Sequence, residues 1–147
     1  MKLVEELLQY PKHIEGKQIF MFTGNRIIYS DCLVMGGGNA LACSEAYPSI
    51  SKKMASKLRK SNGNKHNLFV KHNDGIIGCM FTKNHWKDPS DLETVIAAIK
   101  ELKVHATKNP AFTYHLPYPA IGLGKLTREQ LDEYVETLPD NVIVYVK

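Results

Sequence analysis

A β-rich run from Gln18 to Val34 breaks into three consecutive glycines, Gly36, Gly37 and Gly38, and then opens onto the helix-competent segment Asn39-Ala40-Leu41-Ala42. Glycine has no Cβ, so such a turn adopts positive φ readily and lets a ligand touch the backbone. The N–H groups that begin the next helix lack intrahelical partners and lie at the positive end of its dipole. The combination suits a phosphate or diphosphate, although a tight turn with close helix–sheet packing needs the same residues. A second junction of this kind occurs at Tyr118-Pro119-Ala120-Ile121-Gly122-Leu123-Gly124-Lys125-Leu126. Two glycine loops at two strand ends can grip opposite sides of one pyrophosphate. Neither loop is a Walker A sequence or a Gly-x-Gly-x-x-Gly fingerprint.

The elements around these loops alternate between strand and helix patterns. Ile19 to Phe22 reads as a buried strand ending at Thr23-Gly24-Asn25, and Arg26 to Leu33 as a short hairpin turning near Ser30-Asp31. Ala40 to Ala46 and Ser51 to Leu58 read as helical on either side of Pro48, and Ser61 to Asn64 as a loop. Asn73-Asp74-Gly75 between two β runs predicts a hairpin. Leu92, Val95, Ile96, Ile99 and Leu102 recur at helical spacing, with Ser90 and Glu93 as an expected capping box. Tyr114 to Leu116 is a short strand, Thr127 and Gln130 cap a further helix, and Val142 to Val146 closes the chain as a strand. Lys2 to Tyr10 has the spacing of a short amphipathic helix stopped by Pro11. The alternation predicts an α/β sandwich with a mixed sheet.

Composition narrows the class. The 147 residues fit a single domain, 1–147, with residues 1–16 as an N-terminal extension. The longest apolar runs fall short of a membrane span, and the acidic start Met1-Lys2-Leu3-Val4-Glu5-Glu6 does not read as a secretory signal. The three cysteines, Cys32, Cys43 and Cys79, form no Cys-x-x-Cys and read as reduced, core-filling thiols of a cytoplasmic protein. No pair of histidines or cysteines has metal-ligand spacing, so neither metal nor cofactor is expected. The net charge of +4 is concentrated at Lys52, Lys53, Lys57, Arg59, Lys60 and Lys65. That run reads as a solvated helix face; a nucleic-acid partner stays open, without a motif to support it.

Asn25, the stretch Val34 to Ala40, the strand end Thr82-Lys83 and the loop Pro119 to Gly124 together resemble the macro domain family in order and spacing over residues 18–147. The nearest branch includes terminal ADP-ribose protein glycohydrolase and small phage-encoded macro proteins, which for such a protein implies the host cytoplasm. The resemblance implies a three-layer α/β/α sandwich that binds ADP-ribose or an ADP-ribosylated macromolecule. Gly36, Gly37, Gly38 and Asn39, flanked by Met35 and Ala40, would line one side of the phosphates. Ile121, Gly122, Leu123 and Gly124, followed by Lys125, would line the other. Asn25 would contact the distal ribose. Lys83 matches the lysine nucleophile of the glycohydrolase branch, whose amine attacks the anomeric carbon.

Two departures bear on this. The Gly-Asp that binds adenine after the family's first strand is absent, so loose discrimination among bases is expected. The acid that follows the second glycine loop is absent too, and the nearest acids are Glu129 and Asp132. Trp86 reads as a core residue, His85 as a surface residue before a helix, and Asp31 and Cys32 as turn residues. The functions that fit are an ADP-ribosyl hydrolase or ADP-ribose 1″-phosphate phosphatase, a non-catalytic ADP-ribose reader or sequestering module, and a basic nucleic-acid-associated accessory domain.

Overall fold

A computed structural model describes residues 1–61 and 63–147; Asn62, part of the expected 61–64 loop, lies outside the described residues. The strands are β1 (Lys2–Val4), β2 (Gln18–Gly24), β3 (Ile28–Tyr29), β4 (Cys32–Leu33), β5 (Asn67–His72), β6 (Gly75–Phe81), β7 (Thr113–Pro117) and β8 (Val142–Tyr145). The helices are α1 (Gly38–Ala46), α2 (Ile50–Lys60), α3 (Leu92–Lys108) and α4 (Arg128–Val135). Six strands form one sheet in the order β1-β8-β7-β2-β6-β5, and β3 pairs with β4 in a separate hairpin. Within the large sheet every pair is parallel except β5 with β6.

The central strands β2 and β6 are apolar almost throughout because both faces are covered, as parallel strands require. Ile19 and Met21 face one core with Val95, Ile99 and Leu102 of α3 and Leu131 of α4. Phe22, Cys79 and Phe81 face the other core with Cys43 of α1 and Ile50 and Met54 of α2. The result is the expected three-layer α/β/α sandwich with a mixed sheet. Among the described residues no helix is long and apolar enough to cross a membrane.

Several local expectations stand and others change. The Thr127–Gln130 capping box is present in full. The other capping position moves: Asp91, not Ser90, caps α3, its carboxylate accepting from Thr94 N at 3.0 Å. The larger change is at the start of the chain. Lys2 to Tyr10 is not a helix; Lys2–Val4 pairs with Ile143–Tyr145 of β8, and the following residues run on irregularly. A nine-residue helix is marginal alone, whereas β8 presents an open edge whose backbone groups need partners. The segment is then pinned by side chains, with Leu8 and Ile14 buried and the Tyr10 hydroxyl donating to Met21 O at 2.8 Å.

One polar group sits between the strands in an arrangement that fixes its protonation. Gln18 Oε1 can only accept, so His115 Nε2 (2.7 Å away) donates to it and Nδ1 accepts the Tyr145 hydroxyl at 2.8 Å. The ring also stacks on Phe20, with centroids 4.2 Å apart. Burial pushes the His115 pKa from 6.5 down to about 4. Between those values the unfolded chain binds a proton that the folded chain refuses, so stability falls as pH falls through this window. Burial shifts His72 and His105 the same way. The thermal midpoint is expected to drop as pH is lowered from about 6.5 to 4, and His115→Gln to flatten the slope. Equal slopes in both proteins would exclude His115 as a source.

Candidate functional site

A cavity of about 1050 Å³ opens along the C-terminal ends of the five parallel strands. Ligand clefts in open α/β sheets form on this side because the loops that leave the strands diverge there. In sheet order the wall is built from Glu6, Leu7 and Leu8 after β1, Tyr145 to Lys147 at the end of β8, Pro117 and Tyr118 after β7, Thr23 to Asn25 at the end of β2, and Thr82 and Lys83 after β6. Five strands enclose four spacings of about 4.8 Å, so the wall is roughly 19 Å long.

The first glycine loop closes the middle of this wall. Met35, Gly36, Gly37, Gly38, Asn39 and Ala40 all line the cavity. Gly37 is the N-cap of α1 in an extended conformation, and no side chain caps the helix. The first helical bond runs from Leu41 N to Gly37 O at 3.2 Å, so the N–H groups of the first turn are left for the cavity. No acidic side chain offsets the positive dipole end. The left-handed residue is Gly38, at φ 57°. Asn39 acts first as a structural pin: its Oδ1 accepts from Thr23 N at 2.7 Å and its Nδ2 donates to Thr23 Oγ1 at 3.0 Å.

The second loop faces the first. Ile121, Gly122, Leu123 and Gly124 line the cavity. Ala120 and Lys125 take left-handed φ of 67° and 63° to complete the turn. Leu123 is 65% exposed and leans across to the first loop, where a Cβ built on Gly37 would lie 2.8 Å from its Cδ1. Gly124 answers to packing: a Cβ there would fall 2.4 Å from Ser90 Oγ and 2.6 Å from Ala120 O. Lys125 is exposed and does not line the cavity, which corrects its expected place beside the ligand. Its left-handed backbone carries the chain out of the turn before Leu126 N returns to Ala120 O at 2.9 Å.

At the β6 end, Lys83 is half-buried in the wall, and its ammonium has no hydrogen-bond or ion-pair partner among the described residues. Asn25 is buried; its Nδ2 donates to Val34 O at 3.1 Å and its Oδ1 accepts from Ile27 N at 2.8 Å. Those two bonds bind the β3–β4 hairpin to β2 and leave one N–H of the amide over. Trp86 is not a core residue. It lies at the cavity wall 48% exposed, stacked on His85 with centroids 5.3 Å apart and with Lys87 Nζ 5.1 Å from its ring. Its sequence neighbours in the loop before α3, Asn84, His85, Lys87 and Asp88, are all polar.

The opposite end holds what the sequence pattern hid. Among the described residues Glu6 is the one carboxylate side chain in the wall, and Lys147 lines the cavity from the end of the adjacent strand. Glu6 follows β1 directly, so the cavity has an acid after its first strand although the Gly-Asp pair is absent. Tyr145 lies beside it; burial and then the Glu6 charge raise the Tyr145 pKa. Tyr118 occupies the wall between the two ends, its hydroxyl donating to Asp132, while burial and then that bond push its pKa up. Asp132 thus stands behind Tyr118, and neither it nor Glu129 lines the cavity. Asp31 keeps to its turn, ion-paired to Arg59 at 2.7 Å. His13, Glu15 and Asp74 bring donor atoms within 4.8 Å of one another, but all are exposed and His13 is already paired with Asp74 at 2.9 Å.

No family model and no curated protein matches the chain. Solved structures do. The macrodomain of Thermus aquaticus DarG superposes with a TM-score of 0.75 at 21% identity, over 99% of this chain and 95% of that one. The macrodomain of Mycobacterium tuberculosis DarG gives 0.73 at 20% identity, over 100% and 99%. Thermosipho africanus DarTG, solved in complex with ADP-ribose, gives 0.70 at 19% identity; 88% of this chain is covered, and it spans 38% of that chain. The chain has the macrodomain fold. The expectation drawn from the glycine loops is met at the level of architecture, and the macrodomain sheet brings both loops, Asn25 and Lys83 to one cavity.

The two glycine positions separate packing from access. Gly124→Ala is expected to lower the thermal midpoint by several degrees, since overpacking costs about 1–3 kcal/mol and each kcal/mol moves the midpoint by roughly 2–4 °C in a chain this size. Gly36→Ala, with nothing within 4 Å of its Cβ, is expected to leave it unchanged. Scanning calorimetry reads both, and equal midpoints for the two variants would show that the second loop opens freely.

Proposed function

We propose that the cavity binds ADP-ribose, free or attached to a macromolecule, stretched along the strand ends with its base at Glu6 and its distal ribose at Lys83. The observation that carries this reading is the order of polarity along the roughly 19 Å wall: a carboxylate after β1, an uncapped helix N-terminus in the middle, and an amide and an ammonium at the β2 and β6 ends. ADP-ribose has the matching order of an amine-bearing base, a diphosphate and a ribose. Glu6 would accept from the exocyclic amine, with Tyr145 alongside. The Gly36–Ala40 turn and the Ile121–Gly124 turn would hold the diphosphate, with Leu123 closing over it. Asn25 has one N–H left for a ribose hydroxyl. The complex of Thermosipho africanus DarTG with ADP-ribose supports the choice of ligand. Glu6 replaces the expectation of loose base discrimination: a carboxylate facing the purine edge favours an amine over a carbonyl there.

Turnover is the second reading, and the unpartnered Lys83 favours it. As a free amine, Lys83 would form a bond to the anomeric carbon while the bond to the leaving group breaks, and water would then release the ribose. Against speed stands the charge around it, because the one acidic side chain among the described lining residues, Glu6, lies at the far edge of the sheet. A binding module is therefore the primary conclusion.

Calorimetry with ADP-ribose tests the binding. Saturable binding is expected, with the hypoxanthine analogue weaker by at least about tenfold, or roughly 1.4 kcal/mol. Gly37→Val is expected to abolish binding with the fold intact, because its side chain pushes the exposed Leu123 aside and occupies the approach to the loop backbone. Unchanged affinity in Gly37→Val would remove the phosphate role of the loop. For turnover, wild type and Lys83→Arg would be assayed on ADP-ribosylated protein, ADP-ribosylated DNA and ADP-ribose 1″-phosphate. If Lys83 is the nucleophile, Lys83→Arg keeps binding and loses turnover by orders of magnitude, since guanidinium stays protonated. Equal rates in both proteins would take Lys83 out of the chemistry.

A further inference from the structure

At the β1–β8 edge of the cavity a chain of polar side chains decides what Tyr145 offers a ligand. Gln18 opens β2, His115 lies on β7 and Tyr145 ends β8. His115 pairs with Phe20 across one ladder and with Ile143 across the other. Gln18 and Tyr145 each lie two residues from those partners, so the three side chains share one face of the sheet. The His115 ring, within 9° of parallel to Phe20, is held between them. Gln18 Oε1 takes the Nε2 proton at 2.7 Å, which leaves Nδ1 to accept from the Tyr145 hydroxyl at 2.8 Å. A phenol has one proton and two lone pairs. The proton of Tyr145 is committed to His115, a residue outside the cavity lining, and the lone pairs remain.

The neighbouring carboxylate makes that commitment matter. Val4 is the register partner of Tyr145, and Glu6 stands two residues beyond Val4. Glu6 and Tyr145 both line the cavity. The Glu6 charge reaches the Tyr145 hydroxyl, adding to burial in raising its pKa. A phenol free to turn would donate to such a carboxylate, and one acceptor would be spent on the other. Tyr145 donates to His115 instead, so two acceptors are presented at the same end of the cavity. Lys147 also lines this end, exposed on a flexible stem that fixes no geometry.

We infer that Tyr145, oriented by His115 and Gln18, is a specificity residue that acts with Glu6 to select a base carrying a primary amine, each acceptor taking one of its two hydrogens. The inference rests on the placement of the base at Glu6 proposed above, and it asks more of the ligand than Glu6 alone would. A lone carboxylate is satisfied by one N–H, whereas two acceptors need both. A base that supplies only one leaves an acceptor unpaired, which costs affinity.

The test is calorimetry with ADP-ribose, its hypoxanthine analogue and an analogue singly methylated on the exocyclic amine. The methylamino analogue keeps one N–H and is expected to bind wild type about fivefold or more weakly than ADP-ribose. In Tyr145→Phe that penalty is expected to shrink to within about twofold, while the hypoxanthine analogue stays weaker through Glu6. His115→Phe is expected to shrink the methylamino penalty in the same way, although His115 touches no ligand, because the freed phenol then turns to Glu6. Nitrogen NMR of the ligand-free wild type is expected to show His115 protonated at Nε2. Thermal midpoints establish that the variants fold, and the spectrum and the wild-type titrations need no variant. A proton on Nδ1 overturns the inference whatever binds. An undiminished penalty in Tyr145→Phe overturns it as well. Wild type that binds the methylamino analogue as tightly as ADP-ribose overturns it while leaving the base at Glu6. Wild type that binds no ADP-ribose overturns that placement, and the inference with it.

Discussion

The bond pair between Thr23 and Asn39 is the joint on which the cavity depends. Thr23 lies near the end of the central strand β2, and Asn39 lies in the first turn of α1, so the two bonds fix where that helix begins over the sheet. Without them the triple glycine would leave the helix free to start elsewhere, because glycine loses more conformational freedom on folding than other residues. With them, the uncapped N–H groups of α1 are held at the middle of the strand ends. Asn25 does the same for the hairpin, with one bond to Val34 O and one from Ile27 N. Two asparagines that a motif would assign to a ligand therefore spend most of their hydrogen-bonding capacity on the protein, and the cavity is shaped before anything enters it.

Charge is distributed in the same purposeful way. The cavity wall carries few charged side chains among the described residues, with Glu6 and Lys147 at the β1–β8 edge and Lys83 at the β6 end. Across that span the charges of Glu6 and Lys83 interact weakly. Each is free to meet its own part of a long polar ligand. The remaining excess of cations is segregated on α2, across the β3–β4 hairpin from the glycine loop. The hairpin runs directly into Val34 and Met35, so one small element separates the glycine-lined cavity from the basic face of α2.

Much of the architecture was legible in the residues because it rests on local signals. Apolar periodicity marked α3, Asn73-Asp74-Gly75 marked the β5–β6 hairpin, and Thr127 with Gln130 marked α4. Both glycine loops were visible because they interrupt strand patterns just before helices. The failures share a cause. Lys2 to Tyr10 has helical spacing, yet its backbone is claimed by the open edge of β8, about 140 residues away. Trp86 has the composition of a core residue, yet it lies half-exposed at the cavity wall. Lys125 is adjacent in sequence to the loop, yet it is exposed and outside the cavity lining where the chain turns left-handed.

By itself the sequence determined the order of the elements, the two glycine turns and the concentration of cations between Lys52 and Lys60, since each depends on neighbours within a few positions. Only the tertiary structure decided what meets at the cavity. Glu6 enters it because β1 lies parallel to β8, and Tyr145 is oriented there because His115 and Gln18, from two other strands, complete its hydrogen-bond chain. The β3–β4 hairpin is held to α2 through the Asp31–Arg59 pair, whose members lie 28 residues apart in the chain. Such contacts join residues far apart in the chain, and parallel pairing leaves no local signature of its register, so no window of sequence contains them.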